Sequence, residues 1–478
     1  MIQIDTRQLH ETLPEKRWFG GKGRPIASVD VIDAGTIEDG PPALVLTVVS
    51  VRYEWGAGEL YHLPLLVDED GSARDALDEP DRLRVFGDLM AHGSSIKGDY
   101  GVFQFGGPGL DPLSPPGSSS ARTMGAEQTN TSLVLDEHVI IKLFRRVAVG
   151  ANPDLELARL LTAEDFEHVP PHVGEFTYER EADDEQSHRI DLGLAQQFMP
   201  EAKEGWTDVL RRLHELYDAI DPADATEDIH FLIEERGRKL LQNLDDLGDV
   251  TASLHVMLAK EELLEHEYAP EAVDEFDLKD WVERALESLE ALLAERTAEL
   301  EPHAPAVRNR IERLRELEHG GQKTRVHGDY HLGQVLRTAR GWMILDFEGE
   351  PARPLDERTA KQSPLRDVAG MLRSFSYAAV AALFERCEVD SDEWRRLEPW
   401  AITWEEIARE RFLNAYLTRV HERRFLLPSD REPIDVMLDV FEIDKALYEL
   451  GYERRHRPDW ARIPLRGIAR VIERGEST

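Results

Sequence analysis

Three side chains within one short stretch carry the groups that phosphoryl transfer requires. Asp329 lies in HGDYHLGQVL, Gln334 follows five residues later, and Asp346 stands 17 residues after Asp329. An aspartate beside an attacking hydroxyl can accept its proton, whereas a second carboxylate and an amide oxygen are hard ligands for Mg²⁺. The three residues therefore predict a general base, Asp329, beside a magnesium site that would bridge the phosphates of a nucleotide.

The surrounding sequence predicts how these side chains are positioned. Residues 336–337 and 342–345 have the composition of short strands, and residues 339–341 form a turn between them. Asp329 then lies on the loop before the first strand, and Asp346 closes the hairpin. Because a tight loop between short strands holds charged side chains at fixed positions, we expect Asp329, Gln334 and Asp346 to lie over one cleft.

The segment resembles the protein-kinase-like and aminoglycoside-phosphotransferase-like enzymes. Their catalytic loop has the pattern H-G-D-x-x-x-x-N, and here His327, Gly328 and Asp329 match its first part while Gln334 stands at the asparagine. The tripeptide DFE at 346–348 replaces their D-x-D or D-F-G element. The alternative, a hairpin with solvated surface carboxylates, is disfavoured by the length of the shared pattern.

The resemblance assigns a nucleotide-binding role to a lysine upstream. In a kinase fold, a strand lysine contacts the α/β-phosphates and is held by a glutamate on the next helix. Lys142 in VIIKLFRR and Glu156 in NPDLELARLL match these two positions. Taken alone, Lys142 would also fit a strand-edge lysine that points to water.

Two further segments are candidates for the nucleotide site. The polar stretch 127–132 precedes a strand and is predicted to form a turn over the phosphates, although it lacks glycine and fits a plain polar loop equally well. The segment 196–199 lies where a hinge would offer backbone groups to adenine, but its apolar residues also fit a core. The candidate residues are Gln128, Thr129, Asn130, Thr131 and Ser132 in the first segment, and Gln197, Phe198 and Met199 in the second.

Strand-like patterns dominate the first 200 residues, and apolar residues at i, i+3, i+4 and i+7 dominate the rest. We predict an α+β, bilobal protein-kinase-like fold. It would have an N-terminal sheet-rich cap at 1–90, a nucleotide-binding lobe at 91–200, and a helical C-terminal lobe at 201–478 that carries the catalytic loop and the sugar site. Helices are expected at 153–161, 206–219, 231–260, 278–300, 305–318, 404–424 and 434–455, and residues 108–120 are expected to form a loop.

Composition excludes several classes of partner. The 478 residues include 57 Lys and Arg against 94 Asp and Glu, a formal net charge of −37. Such a charge repels nucleic acids and anionic membranes. A single cysteine, Cys387, excludes intrachain disulfides and cysteine-based metal centres, and indicates a reducing, cytoplasmic setting. Neither an 18-residue apolar run nor the pattern of a secretory signal is present.

Further motifs narrow the resemblance. RWFGGKGR, HVPPHVGEF, PLDER, SPLRDVAGMLRSFSYAA and DKALYELGYERRHRPDWARIPL together are similar to maltokinases, to the kinase-like segment of some trehalose synthases, and to glucosamine kinases. The resemblance covers nearly the whole chain. It implies ATP- and Mg²⁺-dependent phosphorylation of a sugar hydroxyl, and for maltokinases the formation of maltose 1-phosphate for α-glucan (glycogen) synthesis. It also implies that Glu348 assists the metal site, and that Arg366 and Asp367 brace the catalytic loop through a buried ion pair or hydrogen bonds.

Sugar recognition is expected from the helical C-terminal lobe. The candidates are His331, beside the base, and Glu442, Lys445 and Tyr448 on the helix at 434–455. Glu442 and Lys445 share one helix face with Glu449, which can bind sugar hydroxyls or simply form an exposed ion pair. A cationic Lys445 would oppose an ammonium group, which favours maltose over an amino sugar.

Three functions remain open at this point. The first is a maltokinase, the second a glucosamine or other monosaccharide kinase, and the third a catalytically silent kinase-fold regulator of trehalose synthase. The combination of Asp329, Gln334, Asp346 and Lys142 argues against a silent module, which would not need all four. With no fused synthase in 478 residues, we expect a free-standing enzyme, a monomer or homodimer, for which association with trehalose synthase is possible.

Overall fold

A computed structural model describes most of the chain as two compact units. The first ends at Glu201 and includes a short segment up to Leu355, and the second runs from Ala202 to Glu350 and continues from Asp356. The candidates Gln128 and Thr129, and the loop predicted at 108–120, lie outside the described residues. The described residues are 3–107, 121–124, 130–181, 187–220, 228–260, 268–350 and 353–476.

Antiparallel strands make up most of the first unit. The elements up to Glu201 are α1 (Thr6–Thr12), β1 (Ile26–Glu38), β2 (Ala43–Tyr53), β3 (Glu59–Val67), β4 (Ala73–Asp75), α2 (Val85–Ala91), β5 (Ser95–Lys97), β6 (Val102–Gly106), β7 (Ala121–Thr123), β8 (Asn130–Leu135), β9 (Val139–Phe144), β10 (Arg146–Val147), α3 (Pro153–Ala163), β11 (His172–Glu181) and β12 (Ser187–Gln197).

Helices dominate the remainder of the chain. The elements after Glu201 are β13 (Lys203–Glu204), α4 (Gly205–Asp218), α5 (Ile229–Arg236), α6 (Arg238–Leu258), β14 (Glu271–Ala272), α7 (Glu275–Ala294), α8 (Ala304–Glu312), β15 (Gln322–Lys323), β16 (Val335–Thr338), β17 (Gly341–Ile344), α9 (Leu355–Thr359), α10 (Leu365–Phe384), α11 (Asp392–Val420), α12 (Arg431–His456) and α13 (Arg462–Glu476). Among the described residues, no helix combines the length and the apolar character that crossing a bilayer demands.

Two sheets pack against each other in the first unit. One has the order β1-β2-β3-β10, with β4 beside β3, and the other has the order β5-β6-β11-β12-β9-β8-β7. Strand β2 is buried on both faces, which explains its continuous apolar sequence ALVLTVVSV. Its Leu44, Leu46 and Val48 belong to the core shared with the second sheet. Val45 and Val49 face the N-terminal segment around Trp18 and Phe19.

Helix α10 is the central element of the second unit. Sixteen of its twenty residues are buried, including residues on every side of the helix. It packs against α11, α12 and α4. A helix that is apolar all round has no single stripe at i, i+3, i+4, which is why periodicity did not predict it.

Two predicted helices differ from the observed ones for backbone reasons. The helix expected at 231–260 breaks into α5 and α6 at Gly237, whose N–H donates to the carbonyl of Ile233 at 2.8 Å. A Cβ at Gly237 would lie 2.7 Å from that oxygen. The helix expected at 278–300 ends at Ala294, since Arg296 adopts a left-handed conformation with φ +57°.

Candidate active site

The loop that carries Asp329 is anchored by a buried carboxylate of α10. One oxygen of Asp367, Oδ2, accepts from the backbone N–H of His327 at 2.8 Å, and Oδ1 accepts from that of Gly328 at 2.9 Å. His255 Nε2 lies 3.1 Å from Oδ2, and Tyr416 lies behind this imidazole, 2.8 Å from Nδ1. Burial opposes ionisation of Asp367, but its hydrogen bonds and the nearby histidines lower its pKa below the ordinary value. The predicted brace of the loop is confirmed for Asp367, whereas Arg366 forms an ion pair with Asp444 at 3.2 Å.

His327 and Gly328 fix the entry to the loop. The His327 ring contacts the carbonyl of Leu345 at 2.7 Å and packs against Phe347 with a centroid distance of 5.0 Å. Gly328 has φ +83°, and a Cβ there would lie 3.2 Å from the Cα of Gly349. The H-G pair of the motif therefore joins the loop to the segment after β17, with glycine required by both conformation and space.

Gln334 and Asp346 meet, as predicted, at the base of the β16–β17 hairpin. Gln334 Nε2 donates to Asp346 Oδ2 at 3.0 Å, and the backbone N–H of Leu345 donates to the carbonyl of Gln334 at 2.9 Å. Because the hydrogen bond uses the amide nitrogen, Gln334 Oε1 remains a donor atom for a cation. Asp346 has φ +63°, a strained conformation of the kind that gathers at functional sites. This oxygen donor set fits Mg²⁺.

Glu348 is the third candidate for the metal site. It follows Asp346 by two residues and is 7% exposed, so it is a buried carboxylate of the segment after β17. Its backbone carbonyl accepts from Arg358 Nη1 at 3.1 Å. A carboxylate oxygen of Glu348 lies within 4.8 Å of one of Asp346, so the two acids are close enough to hold one ion together.

Asp329 lies beside a cationic side chain. Lys445 Nζ on α12 is 3.3 Å from Asp329 Oδ1 and also donates to Glu350. Burial opposes the charged form of Lys445, but Asp329 and Glu350 outweigh that effect and raise its pKa. His331 Nε2 is 3.9 Å from Asp329 Oδ2, and desolvation lowers the pKa of His331 although Asp329 opposes the change. Asp329, the candidate base, is therefore flanked by one ammonium and one imidazole.

A cavity of about 540 Å³ opens beside Asp329 within the second unit. This volume lies in the range of small-ligand sites, about 300–1,000 Å³. Tyr448, half exposed, is close enough to Lys445 for a cation–π contact of 5.6 Å. The cavity wall combines the predicted candidates Asp329, His331, Lys445 and Tyr448 with the aromatic residues Trp206, Tyr377, Tyr452 and Trp460.

The prediction that Glu442 binds the sugar is wrong. Glu442 is 2% exposed, and its carboxylate is bound by Arg409 at 2.7 and 2.8 Å and by Arg474 at 3.0 Å. It therefore joins α12 to α11 and α13 and does not line the cavity. Glu449, on the same face, binds Arg373 at 2.6 Å. The shared helix face predicted from spacing exists: Lys445 and Glu449 line the cavity, and Glu442 is buried between packed helices.

In the first unit, Lys142 of β9 forms a salt bridge with Asp154, an acid that sequence reasoning did not assign. The distance from Lys142 Nζ to Asp154 Oδ2 is 2.9 Å, and the Asp154 side chain is 3% exposed. Asp154 lies in the first turn of α3, and Asn152 caps that helix. The early position of Asp154 in α3 places its carboxylate toward β9, two residues before Glu156.

The predicted turn over the phosphates is wrong for Asn130, Thr131 and Ser132. All three lie in β8, where they pair with Phe144, Leu143 and Lys142 of β9. Thr131 Oγ1 also accepts from Arg145 Nε at 3.0 Å. Strand pairing continues to Asn130, which leaves no turn at these residues.

The hinge candidates follow the end of β12. Gln197 is the last residue of that strand, and the backbone N–H of Phe198 donates to the carbonyl of His138 at 2.7 Å. Met199 is partly buried. Their role at adenine stays a prediction.

Sequence reasoning missed three residues at these places. Asp154 lies in the quoted motif NPDLELARLL, and Glu350 in DFEGEP, so both were visible but unassigned. Trp206 lies at the start of α4, far from the catalytic loop in sequence. No pattern in the sequence links it to Asp329.

Comparisons with known proteins add to this geometry. The family model for the phosphotransferase enzyme family matches residues 125–400, and the one for the maltokinase N-terminal cap domain matches residues 13–83. A glucosamine kinase of Mycolicibacterium smegmatis is 25% identical over 362 residues, 75% of this chain and 81% of that protein. A glucosamine kinase of Streptacidiphilus jiangxiensis is 26% identical over 344 residues, 71% of this chain and 70% of that protein.

Solved structures show the same fold. A glucosamine kinase in complex with glucosamine, ADP and inorganic phosphate has a TM-score of 0.67 and 20% identity, with 98% of this chain and 100% of that chain covered. A second crystal form of a glucosamine kinase gives 0.69, with 98% and 99% covered and 20% identity. The predicted α+β kinase-like fold, sheet-rich at its N-terminus and helical towards its C-terminus, is confirmed.

Proposed function

The chain belongs to the phosphotransferase enzyme family, and on that premise we propose that it is a sugar kinase, which transfers the terminal phosphate of ATP to a sugar hydroxyl. The observation that carries the proposal is the cavity of the second unit, which Asp329 lines together with six aromatic residues: Trp206, Tyr330, Tyr377, Tyr448, Tyr452 and Trp460. Aromatic rings stack on sugar faces, and a carboxylate can bind the reacting hydroxyl and take its proton.

Each residue of the catalytic loop has a definite task in this reaction. Asp329 accepts the proton of the attacking hydroxyl, and Lys445, 3.3 Å away, balances its charge. Gln334 and Asp346 would hold Mg²⁺, with Glu348 as a further ligand, and that ion supplies charge neutralisation on the nucleotide phosphates. Asp367 keeps the loop in place through the N–H groups of His327 and Gly328.

Lys142 supplies the contact with the nucleotide phosphates in the first unit. Its ammonium is held by Asp154 at 2.9 Å, which fixes the side chain before ATP binds. Phosphate recognition by a lysine depends on a point charge in a defined place, so a buried carboxylate partner is an effective way to position it. Gln197, Phe198 and Met199 would contact adenine.

The substrate we propose is maltose, phosphorylated on its anomeric hydroxyl to give maltose 1-phosphate for α-glucan synthesis. Lys445 supports a neutral sugar, because an ammonium group bound at Asp329 would meet the lysine at the same carboxylate. The aromatic residues Trp206, Tyr448 and Tyr452 give room for stacking a second ring. The match of residues 13–83 to the maltokinase cap supports the same choice.

Glucosamine is the second candidate, and the comparisons favour it. The two curated relatives and the two solved structures reported above are all glucosamine kinases. The cavity is also lined by further carboxylates, among them Glu204 and Glu385, that would suit an amine. A silent regulator of trehalose synthase is the third candidate, and any sugar-dependent release of ADP contradicts it.

One experiment separates the candidates. We expect kcat/KM for maltose to exceed that for glucosamine, with NMR showing the new phosphate on the anomeric oxygen. A higher kcat/KM for glucosamine, or a 6-phosphate product, assigns the monosaccharide kinase instead.

A matched pair of variants tests whether Lys445 disfavours the ammonium group of glucosamine. Lys445→Gln should raise the kcat/KM ratio of glucosamine over maltose, because the competing ammonium is gone. Arg340→Gln removes an equal charge from the exposed turn between β16 and β17 and should leave the ratio unchanged.

A further inference from the structure

Behind the wall of the cavity beside Asp329 lies a buried arginine that the proposed reaction does not use. Arg373 belongs to α10, its side chain is 2% exposed, and it stands outside the lining of the cavity. Its Nε and Nη2 both donate to one oxygen of Glu449, Oε2, at 3.0 and 2.6 Å. Glu449 belongs to α12 and lines the cavity, with a side chain that is 12% exposed. The buried guanidinium therefore holds a carboxylate of the cavity wall from behind.

This geometry leaves the second oxygen of Glu449 open. Oε1 accepts no hydrogen bond from any residue that the structure describes, and it is not sealed in the core. Burial raises the pKa of Glu449 above its ordinary value, whereas Arg373 and Lys445 oppose that change. The carboxylate thus depends on Arg373 both for its charge and for its direction. An ionised acceptor with a fixed direction suits a ligand hydroxyl.

The position of Arg373 depends in turn on a glycine of α13. A Cβ at Gly467 would overlap Arg373 Nη1. This nitrogen has no hydrogen-bond partner among the described residues, so the space left by the glycine is what accommodates it. Glycine is less favourable than alanine inside a helix, and Gly467 lies well inside Arg462–Glu476. The sequence therefore keeps a helix-weakening residue where the guanidinium needs the space.

Helix α13 is fixed on both sides of this glycine. Arg466, the residue before Gly467, and Arg470 bind the buried Glu405 of α11 at 2.6 and 2.5 Å. Because these ion pairs hold the helix against α11, a side chain introduced at Gly467 would displace Arg373 rather than α13. The displacement would then pass to the carboxylate that Arg373 holds.

We propose that Arg373 is a positioning residue of the sugar site. Seated against Gly467, it directs Oε1 of Glu449 into the cavity, where that oxygen accepts a hydrogen bond from a sugar hydroxyl other than the reacting one. The inference rests on the proposed sugar kinase activity and holds for either candidate sugar, because both carry several neutral hydroxyls. It makes the affinity for sugar depend on the seating of α13, a helix outside the cavity.

The test is steady-state kinetics of the full chain with the sugar that the parent phosphorylates best. Gly467→Ala retains both ionic groups and should raise KM for the sugar about tenfold, the loss expected from one hydrogen bond to a charged group. Its kcat and its KM for ATP should stay close to the parental values. Gly451→Ala is the matched control, since a Cβ at this glycine of α12 would meet Leu292 Cδ2 at an ordinary 3.4 Å. An unchanged KM for the sugar in Gly467→Ala, or an equal rise of KM for ATP, overturns the proposal.

A double variant separates a positioning role from a structural one. Arg373→Gln and Glu449→Gln should each raise KM for the sugar, and the variant with both changes should have a KM no higher than Glu449→Gln alone, because Arg373 acts through Glu449. A purely structural arginine would add its own loss, so effects on KM that multiply contradict the proposal. A parent chain that phosphorylates no sugar overturns the proposed function and this inference with it, whereas an active parent whose variants keep the parental KM overturns this inference alone.

Discussion

The ammonium of Lys445 contacts two carboxylates, those of Asp329 and Glu350. Lys445 Nζ reaches both acids, so the three residues together keep one net negative charge beside the cavity. This net negative charge favours the role proposed for Asp329, which accepts a proton from a neutral hydroxyl and becomes neutral when it does so. The same group is less suited to a cationic ligand, because Lys445 already occupies the position beside Asp329 that such a ligand would take.

The first prediction concerns Asp329. Asp329→Asn keeps the size of the side chain and removes the proton acceptor, so kcat should fall by about 10²–10⁴-fold while ATP affinity remains close to that of the parent. Single-turnover rates and nucleotide titration measure the two quantities. Asp246→Asn, at an exposed acid of α6, is the control. A variant that retains more than about half the parental kcat contradicts the role of a general base.

The second prediction concerns the partner of Lys142. Lys142→Ala and Asp154→Asn should each lower kcat/KM for ATP, and the double variant should lose little more than either alone, because the two groups act as a unit. Glu156→Gln changes the acid predicted from the sequence and should have the smaller effect. Losses that multiply in the double variant, or a larger loss in Glu156→Gln, contradict the pair.

At the scale of elements, the sequence predicted the helices and strands whose apolar, turn or cap residues lie close together in the chain. The β16–β17 hairpin, strand β2 and helix α3 all show their apolar pattern or their turn and cap residues within a dozen positions. The contact of Gln334 with Asp346 follows from that hairpin, because the loop and the end of β17 are joined by a short turn. Roles of these residues in catalysis stay predictions.

Other features depend on contacts between elements and left no local signal. The spacing of Glu442 and Lys445 defined one face of α12, but which neighbour that face meets is set by α11 and α13, through Arg409 and Arg474. Helix α13, whose Arg466 and Arg470 bind Glu405 of α11, was not predicted at all. Periodicity gives the direction of a face within a helix and says nothing about the packing partner.

The third prediction concerns these buried ion pairs of α11, α12 and α13. Burial opposes ionisation of Glu405 and Glu442, but the surrounding arginines lower the pKa of each to about 2 from an ordinary 4.5. A folded-state pKa below the unfolded value means that the stabilisation is complete above about pH 4.5 and is lost as the pH falls toward 2. The free energy of unfolding, measured in urea, should therefore decrease steeply across that interval.

The neighbouring acid Asp439 has the opposite dependence of stability on pH, and a variant of Glu442 separates the two contributions. Burial raises the pKa of Asp439 to about 6 in spite of Arg474 and Arg310, so its contribution to stability declines as the pH rises through that value. Glu442→Gln should flatten the decrease below pH 4.5, whereas Glu432→Gln, at an exposed glutamate of the same helix, should leave it unchanged. An unchanged slope in Glu442→Gln contradicts the assignment.

At the scale of the whole molecule, the dominant quantity is the net charge of −37. Many surface arginines and lysines are already paired with acids, for example Arg74 with Asp68 and Glu79, and Arg431 with Asp435. Exposed pairs of this kind contribute about 0–1 kcal/mol each. The excess acids have no such compensation, so their mutual repulsion acts against the compact state over the whole surface.

The last prediction follows from the competition between these two effects of salt. Added salt weakens the surface ion pairs, which destabilises the fold, and it also screens the repulsion among the excess carboxylates, which stabilises it. Screening shortens the range of both from about 10 Å at 0.1 M to about 3 Å at 1 M. Contact pairs lose little over their short distances, whereas repulsion among many separated carboxylates loses most of its strength.

We therefore expect Tm to rise with sodium chloride across this range at neutral pH. At pH 4.5, where part of the carboxylates are protonated, the rise should be smaller. A Tm that falls with salt at neutral pH, or a rise of equal size at both pH values, would show that self-repulsion does not govern the stability of this chain.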